Sequence, residues 1–249
     1  MSPDVRSAEL ALHHRTGLAC AAAVAAGVPG RFRVWEHGGL LAVLATDPAL
    51  GFLSTVSGVA PETLPAVPGL LNAPEWDGVR PTVLTTDLDL PPAAGLVRAG
   101  ERALAVRRLG ERSEPEDVAD ADGTFVDVLL AGYEADGVVA EFVAAEHRLP
   151  QMRRFFVVED GTPIAAAAMT IHGDVAVLGG ASTLPAHRGR GAQPRLLRHR
   201  LRVAADAGCV LAVATARAGS VSAENLRRAG FRCYRRSAWV RVCGRRHRR

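Results

Sequence analysis

The sequence predicts an α/β chain (an α+β mixed sheet) built as two tandem lobes, residues 1–112 and 113–249. Three observations lead there. Helix and strand patterns follow one another in the C-terminal half in the order a mixed sheet requires. Segments of the N-terminal half repeat segments of the C-terminal half at nearly one offset. An acidic stretch, Glu111 to Asp122 with Pro115 inside it, reads as the linker.

In the C-terminal half, Thr124 to Ala135 and Val138 to His147 read as helices, the second stopped near Pro150. Arg154 to Glu159 and Pro163 to Ile171 flank Asp160-Gly161, a dipeptide that closes hairpins. A second tight turn, His172-Gly173-Asp174, leads to a third strand, Val175 to Leu184, ended by Pro185. After a glycine-rich loop, Leu196, Leu197, Leu201, Ala204 and Ala205 recur at helical spacing opposite Arg195, Arg198 and Arg202. Val210 to Thr215 is wholly apolar and suits a buried central strand. Ser222 to Ala229 reads as a helix ended by Gly230, and Cys233 to Val242 as the last strand.

The repeat rests on three matches. Leu96 to Arg102 shares five identities in seven positions with Leu226 to Arg232, 130 residues on. Val34 to Gly38 parallels Val157 to Gly161, and Gly51 to Ala60, ended by Pro61, parallels Val175 to Leu184. Trp35 and Trp76 read as core or lobe-interface residues.

Composition narrows the function. Hydrophobic residues are 48% and charged residues 22% of 249, which are values of a packed globular chain rather than a disordered one. All 30 basic residues are arginine, so arginine-rich strings need structural context before they count. A net charge of +4 attracts anions, but no aromatic and basic interleaving points to nucleic acid. Arg245, Arg246, His247, Arg248 and Arg249 read as a solvated tail. Cys20, Cys209, Cys233 and Cys243 lack CxxC spacing and read as reduced thiols, and no HExxH or similar motif argues for a metal. Gly17 to Val28 is apolar but too short to span a bilayer, and reads as a helix stopped at Gly27 and Pro29. The expected setting is cytoplasmic, without membrane or nucleic-acid partners, as monomer or homodimer.

The most informative segment joins the third strand to the amphipathic helix: Arg188, Gly189, Arg190, Gly191, Ala192 and Gln193. A pyrophosphate needs several backbone N–H donors converging on one point, and a helix N-terminus supplies them with a favourable dipole. Gly189 and Gly191 let the backbone come close, and Arg188 and Arg190 can add charged contacts.

Here the sequence resembles the GNAT superfamily of N-acyltransferases, whose signature is Gln/Arg-x-x-Gly-x-Gly/Ala after the fourth strand. Arg188, Gly191 and Gln193 stand at its specified positions, Gln193 where the pattern has a small residue. The resemblance covers about Pro115 to Val242 and implies a sheet that splays after the strand Val175 to Leu184, making a slot for the pantetheine of acetyl coenzyme A. It implies that backbone groups of Ala181, Ser182 and Thr183 bind that arm and polarise the thioester, and that no metal takes part. Asn225 is a candidate for the adenosine end.

The catalytic groups do not follow the family pattern. Its tyrosine acid and the asparagine seven residues earlier fall on Leu226 and Gly219. The weak candidates are Glu141 and Glu146 as base and Tyr234 as acid; Asp174 sits in a turn at the far end of the splayed strand, and His172 and His187 border the site. The N-terminal lobe has no counterpart of Arg188 or Gly191, so it is expected to wall the acceptor pocket. The expected function is transfer of an acetyl or related acyl group from acetyl coenzyme A to a small-molecule or protein amine. The alternative is a GNAT-fold sensor or scaffold that binds the coenzyme and transfers nothing.

Overall fold

The computed structural model describes residues 1–91, 95–110 and 115–241. Cys243, the tail from Arg245 and the start of the acidic linker at Glu111 lie outside the described residues.

One mixed sheet holds all eleven described strands, in the order β1-β2-β3-β4-β11-β5-β10-β9-β8-β7-β6. In the first half these are β1 (Phe32–His37), β2 (Leu40–Ala45), β3 (Thr55–Val59), β4 (Thr82–Thr86) and β5 (Leu96–Arg108). In the second they are β6 (Ala119–Asp120), β7 (Arg153–Glu159), β8 (Thr162–His172), β9 (Val175–Thr183), β10 (Leu211–Arg217) and β11 (Arg232–Arg241). The helices are α1 (Pro3–Ala25), α2 (Val67–Leu71), α3 (Phe125–Tyr133), α4 (Gly137–His147), α5 (Ala192–Asp206) and α6 (Val221–Arg228).

Local chemistry accounts for the joints. Asp160 and Gly161 both take positive φ, as do Gly38 and Gly39, so β7-β8 and β1-β2 close through the turn whose twist matches the strands. Ser2 caps α1 by accepting from the Val5 N–H, with Pro3 opening the helix. The apolar side of α5 packs Leu196, Leu197 and Leu201 on Ile164, Ala165 and Ala212 of the sheet. On the other face α1 sets Val5, Ala8 and Ala11 against Leu104, Val177 and Val213. The alanines of β8 from Ala165 to Ala168 are fully buried, and their small side chains let helices approach both faces.

The two halves run the same order of pairings: two antiparallel, then one parallel, in β1-β2-β3-β4 and again in β7-β8-β9-β10. The last strands are exchanged. β5 lies antiparallel beside β10, and β11 lies antiparallel beside β4. The sheet therefore does not divide at residue 112, although the sequence suggests separate lobes there. The helix α1 also crosses between halves, packing Ala19 and Ala23 with Phe142 and Ala145 of α4.

Three further expectations are corrected. The matched stretches Leu96–Arg102 and Leu226–Arg232 are not equivalent: the first is strand β5, whereas the second runs from α6 through a turn into β11. Gly230 takes positive φ and ends α6, but Gly100 is paired inside a strand held between β10 and β11, so neighbours override the shared letters. The stretch Gly51 to Ala60 is not one strand, since Pro48–Leu53 form a 3-10 turn and β3 starts at Thr55. The linker is likewise part of the fold: Glu116 and Asp117 pair with Arg198 and Arg195 of α5, and β6 pairs with β7. Trp35 and Trp76 meet at 5.0 Å within the core of the first half.

Candidate functional site

The site forms where β9 leaves its neighbours. β9 pairs with β10 only from Val175 to Val177, against Leu211 to Val213, and the two strands then part. β10 stays paired to β5 as far as Arg217, so the opening is a departure of β9. On its other side β9 has a bulge at Gly179-Gly180: Ala167 faces Ala181, but Ala168 faces Gly179. Gly180 takes φ +62°, a conformation that glycine adopts without strain.

Side chains from three helices reach the backbone of β8 and β9 around the bulge and splay. Nη1 of Arg15, from α1, donates to the Val177 carbonyl at 3.2 Å. Nη1 of Arg200, from α5, donates to the Ala168 carbonyl at 3.1 Å from the opposite face. Arg200 is 4% exposed, and burial pushes its guanidinium down to about 10. The Ala181 N–H donates to the Tyr133 hydroxyl at 2.9 Å. Tyr133 ends α3, leaving 42% of its surface open while burial of the hydroxyl pushes its pKa up.

Glu146 lies beneath the bulge with Oε1 2.8 Å from Arg15 Nε and Oε2 3.6 Å from His147 Nδ1. Burial alone would raise its carboxyl, but Arg15 and His147 hold it below the usual carboxylate range. Arg15, Arg200 and Glu146 together leave one net positive charge, of the sign that favours an oxyanion at β9.

The helix end is set by the loop. Gly189 and Gly191 have φ +79° and +83°, and a Cβ on either would meet nothing within 4 Å. Their need is conformational, and the space over them is open. Gly191 stands at the N-cap of α5 and brings no side chain, whereas Ser2 and Ser220 cap α1 and α6. Gln193 turns inward and donates from Nε2 to the Ser182 carbonyl at 2.7 Å and to Thr183 Oγ1 at 3.0 Å. It ties the helix start to the splayed strand, which explains why a larger residue stands where the pattern has a small one.

Residues 121–231 match the family described as "Acetyltransferase (GNAT) family". The second half of the chain is a GNAT-family domain. A GCN5-related N-acetyltransferase from Kribbella flavida shares the fold at TM-score 0.59 and 20% identity, over 91% of this chain and 96% of that one. A GCN5-related N-acetyltransferase from Sphaerobacter thermophilus does so at TM-score 0.56 and 13% identity, over 90% of each chain. An acetyltransferase of the GNAT family from Colwellia psychrerythraea follows at TM-score 0.55 and 14% identity, over 86% of each. The likeness in fold thus spans both halves. No curated protein matches the sequence.

Within this GNAT-family domain, the expected site residues divide. Ala181, Ser182, Thr183, Gly189, Gly191, Ala192 and Gln193 gather at the splay and the start of α5. Arg188 turns away: its Nη2 donates to the Gly132 carbonyl and to Glu134 at 2.9 Å, holding the C-terminal end of α3. Arg190 lies 3.9 Å from Glu159, which also holds His187 at 3.3 Å. Ser182 Oγ donates to the Leu129 carbonyl at 3.0 Å, a packing role. Asn225 is half-buried on α6, and the described hydrogen bonds do not join it to the loop. Glu141 is exposed on α4. Tyr234 faces Leu104 across β11-β5 and lines a separate cavity of about 360 Å³ with Gly219, Ser220 and Arg227.

Sequence reading missed Arg15, Tyr133, His147 and Arg200. Tyr133 was findable, because the chain has only two tyrosines and this one ends the helix before the acceptor side. Arg15 carried no signal, since it lies 131 positions from Glu146. Among the described residues no three His, Cys, Asp or Glu side chains could hold a metal ion, and no helix is long and apolar enough to cross a membrane.

Proposed function

We propose that the protein takes the acetyl group of acetyl coenzyme A and passes it to an amine. The observation that carries this reading is the coincidence of three features along one strand-to-helix segment: the splay of β9 from β10, the bulge at Gly179-Gly180, and the uncapped start of α5. The pyrophosphate sits on the backbone N–H groups from Gly189 to Gln193, and the pantetheine lies along the open edge of β9. The thioester carbonyl takes the Ala181 N–H from the Tyr133 hydroxyl, so developing negative charge meets a fixed donor beside Arg15 and Arg200. The displaced Tyr133 hydroxyl, kept protonated by its burial, gives its proton to the departing thiolate.

The matched pairing senses of the halves support descent by duplication, with the first half supplying α1 and β5 rather than a second site. In that half a short helix, α2, follows β3, and no long helix starts there to cradle a phosphate.

Thiol release from acetyl coenzyme A in the presence of peptides, polyamines and aminoglycosides tests the transfer. Turnover with any of them is the expected result. Coenzyme binding without turnover across the panel would favour the sensor or scaffold. Thermal shift tests binding itself: a hundredfold excess over Kd adds about 2.7 kcal/mol, roughly 5 to 11 °C for a chain of this size.

A further inference from the structure

Three arginines stand in one row beside the splay. Arg217 of β10 is opposite Arg102 of β5, Arg102 is opposite Arg236 of β11, and Arg236 is opposite Thr86 of β4. Residues directly opposite in a sheet project from the same face. Arg236 meets Glu9 of α1, so the row lies on the α1 face, across the sheet from α5. Like charges set opposite one another destabilise a sheet unless something answers them. One carboxylate does so here. Glu9 is 2% exposed; its Oε2 accepts from Nη2 of Arg236, and its Oε1 accepts from the Thr86 hydroxyl at 2.9 Å. Three arginines against one carboxylate leave a net charge of +2. Among the described residues Arg102 and Arg217 have no ion pair, and Nε of Arg236, in a residue 7% exposed, has no hydrogen-bond partner. Burial and the neighbouring Arg236 together hold Arg102 below the usual guanidinium range. Arg235 stands outside the row, paired with Asp89 and Glu101.

The row is level with the proposed point of transfer. β9 and β10 last pair at Val177 and Val213; four residues further on stand Ala181 and Arg217, level to within the one residue that the bulge adds. Arg217 is exposed, and Arg102 is half-buried and lines the cavity of about 360 Å³, so solutes reach both. The coenzyme reading puts the pyrophosphate at the start of α5, on the opposite face, and leaves this row for another anion. We propose that the row binds an anionic group of the acceptor, which makes the substrate a small amine that also carries a carboxylate or a phosphate. The inference rests on the transferase reading above and names its acceptor class. A guanidinium fork matches either oxyanion. The acceptor enters from the α1 face, with its anion on Arg217 and Arg102 and its nitrogen at the thioester beside Ala181. The same charges repel a polyamine or an aminoglycoside.

The test measures thiol release from acetyl coenzyme A with matched amines: β-alanine against propanolamine, and phosphoethanolamine against ethanolamine. Within each pair the carbon chain is equal and the amine basicity similar. The anionic member should show a kcat/KM about 10- to 100-fold higher, the worth of one charged hydrogen bond, and the pair with the larger ratio tells carboxylate from phosphate. R217Q and R102Q should each shrink that ratio about tenfold. R102Q should not lower Tm, because it removes a charge that opposes Arg236, whereas loss of a merely structural arginine would lower it. A second readout needs no turnover: the side-chain Nε–H NMR signals of Arg102 and Arg217 should move when β-alanine or phosphoethanolamine is added. Equal kcat/KM within both pairs, ratios unchanged in both variants, or arginine signals that ignore both anions would overturn the acceptor class. Loss of the acetyl coenzyme A thermal shift in R217Q would give the row to the coenzyme and overturn it too. A wild type with neither thermal shift nor thiol release would instead overturn the transferase reading, while the arginine signals still judge the row.

Discussion

His147 and Gly180 are fitted to each other: the imidazole Nε2 occupies the place of the side chain that Gly180 lacks. The same principle recurs at this strand. A Cβ at Gly179 would strike the Arg15 guanidinium at 2.8 Å, and one at Gly132 would strike Ser182 Oγ at 2.4 Å. Gly179 and Gly180 thus admit polar groups from α1 and α4 to the surface of β9, and Gly132 of α3 makes room for the Ser182 hydroxyl of β9.

Gly180→Ala is expected to destabilise the fold. The new methyl collides with a ring that has no free space to enter, and it also forces alanine into φ +62°. Overpacking and left-handed strain together predict a loss of about 2–5 kcal/mol, read from urea unfolding midpoints. Gly191→Ala, with open space over its Cβ, should lose only the conformational part, about 1–2 kcal/mol.

Arg15→Met should cost about 3–5 kcal/mol, because it strands the Glu146 carboxylate in the interior. Arg15→Met combined with Glu146→Leu should recover most of that loss. The double-mutant cycle measures the coupling, and additive losses would show that the pair is not the main partner of either group.

Stability should fall on acidification below about pH 6.5. His13, His147, His172 and His199 all have pKa values depressed below 6.5, with burial as the leading cause. For each, the unfolded chain binds its proton first as pH drops, so stability present above 6.5 is lost as pH falls toward the folded value, at up to about 1.4 kcal/mol per pH unit per proton. Glu146, also depressed, adds a loss of the same sign at lower pH, below the carboxylate range. Denaturation midpoints between pH 8 and 5 read the slope. It should be shallower in H147N.

Cys20 should resist thiol reagents until the chain unfolds. Burial and the neighbouring Glu146 carboxylate push it up to about 12, so almost no thiolate exists at neutral pH. Cys233 is exposed and should be modified in the native protein, which mass spectrometry of the labelled peptides would show.

The loop and helix start of the candidate site were legible because their geometry is local. Glycines at positive φ, a helix start and the strand before it are neighbours in the chain, and Gly191, Gln193 and Ala181 could be placed by counting. The side chains gathered around the bulge were not legible as a set, because they come from four separate helices and meet at β9. Glu146 was found, but the Arg15 that neutralises it lies on α1, and the bulge that brings His147 and Tyr133 to β9 depends on register.

The sequence by itself determined the alternation of elements, the hairpin turns and the glycine-marked start of α5, since backbone conformation and side-chain periodicity act over a few residues. Only the tertiary structure decided that β5 and β11 change places in one sheet, that α1 enters the site, and that an unpaired imidazole stands behind Gly180. Those outcomes depend on contacts between distant residues competing for the same buried space, and no short window of sequence records that competition.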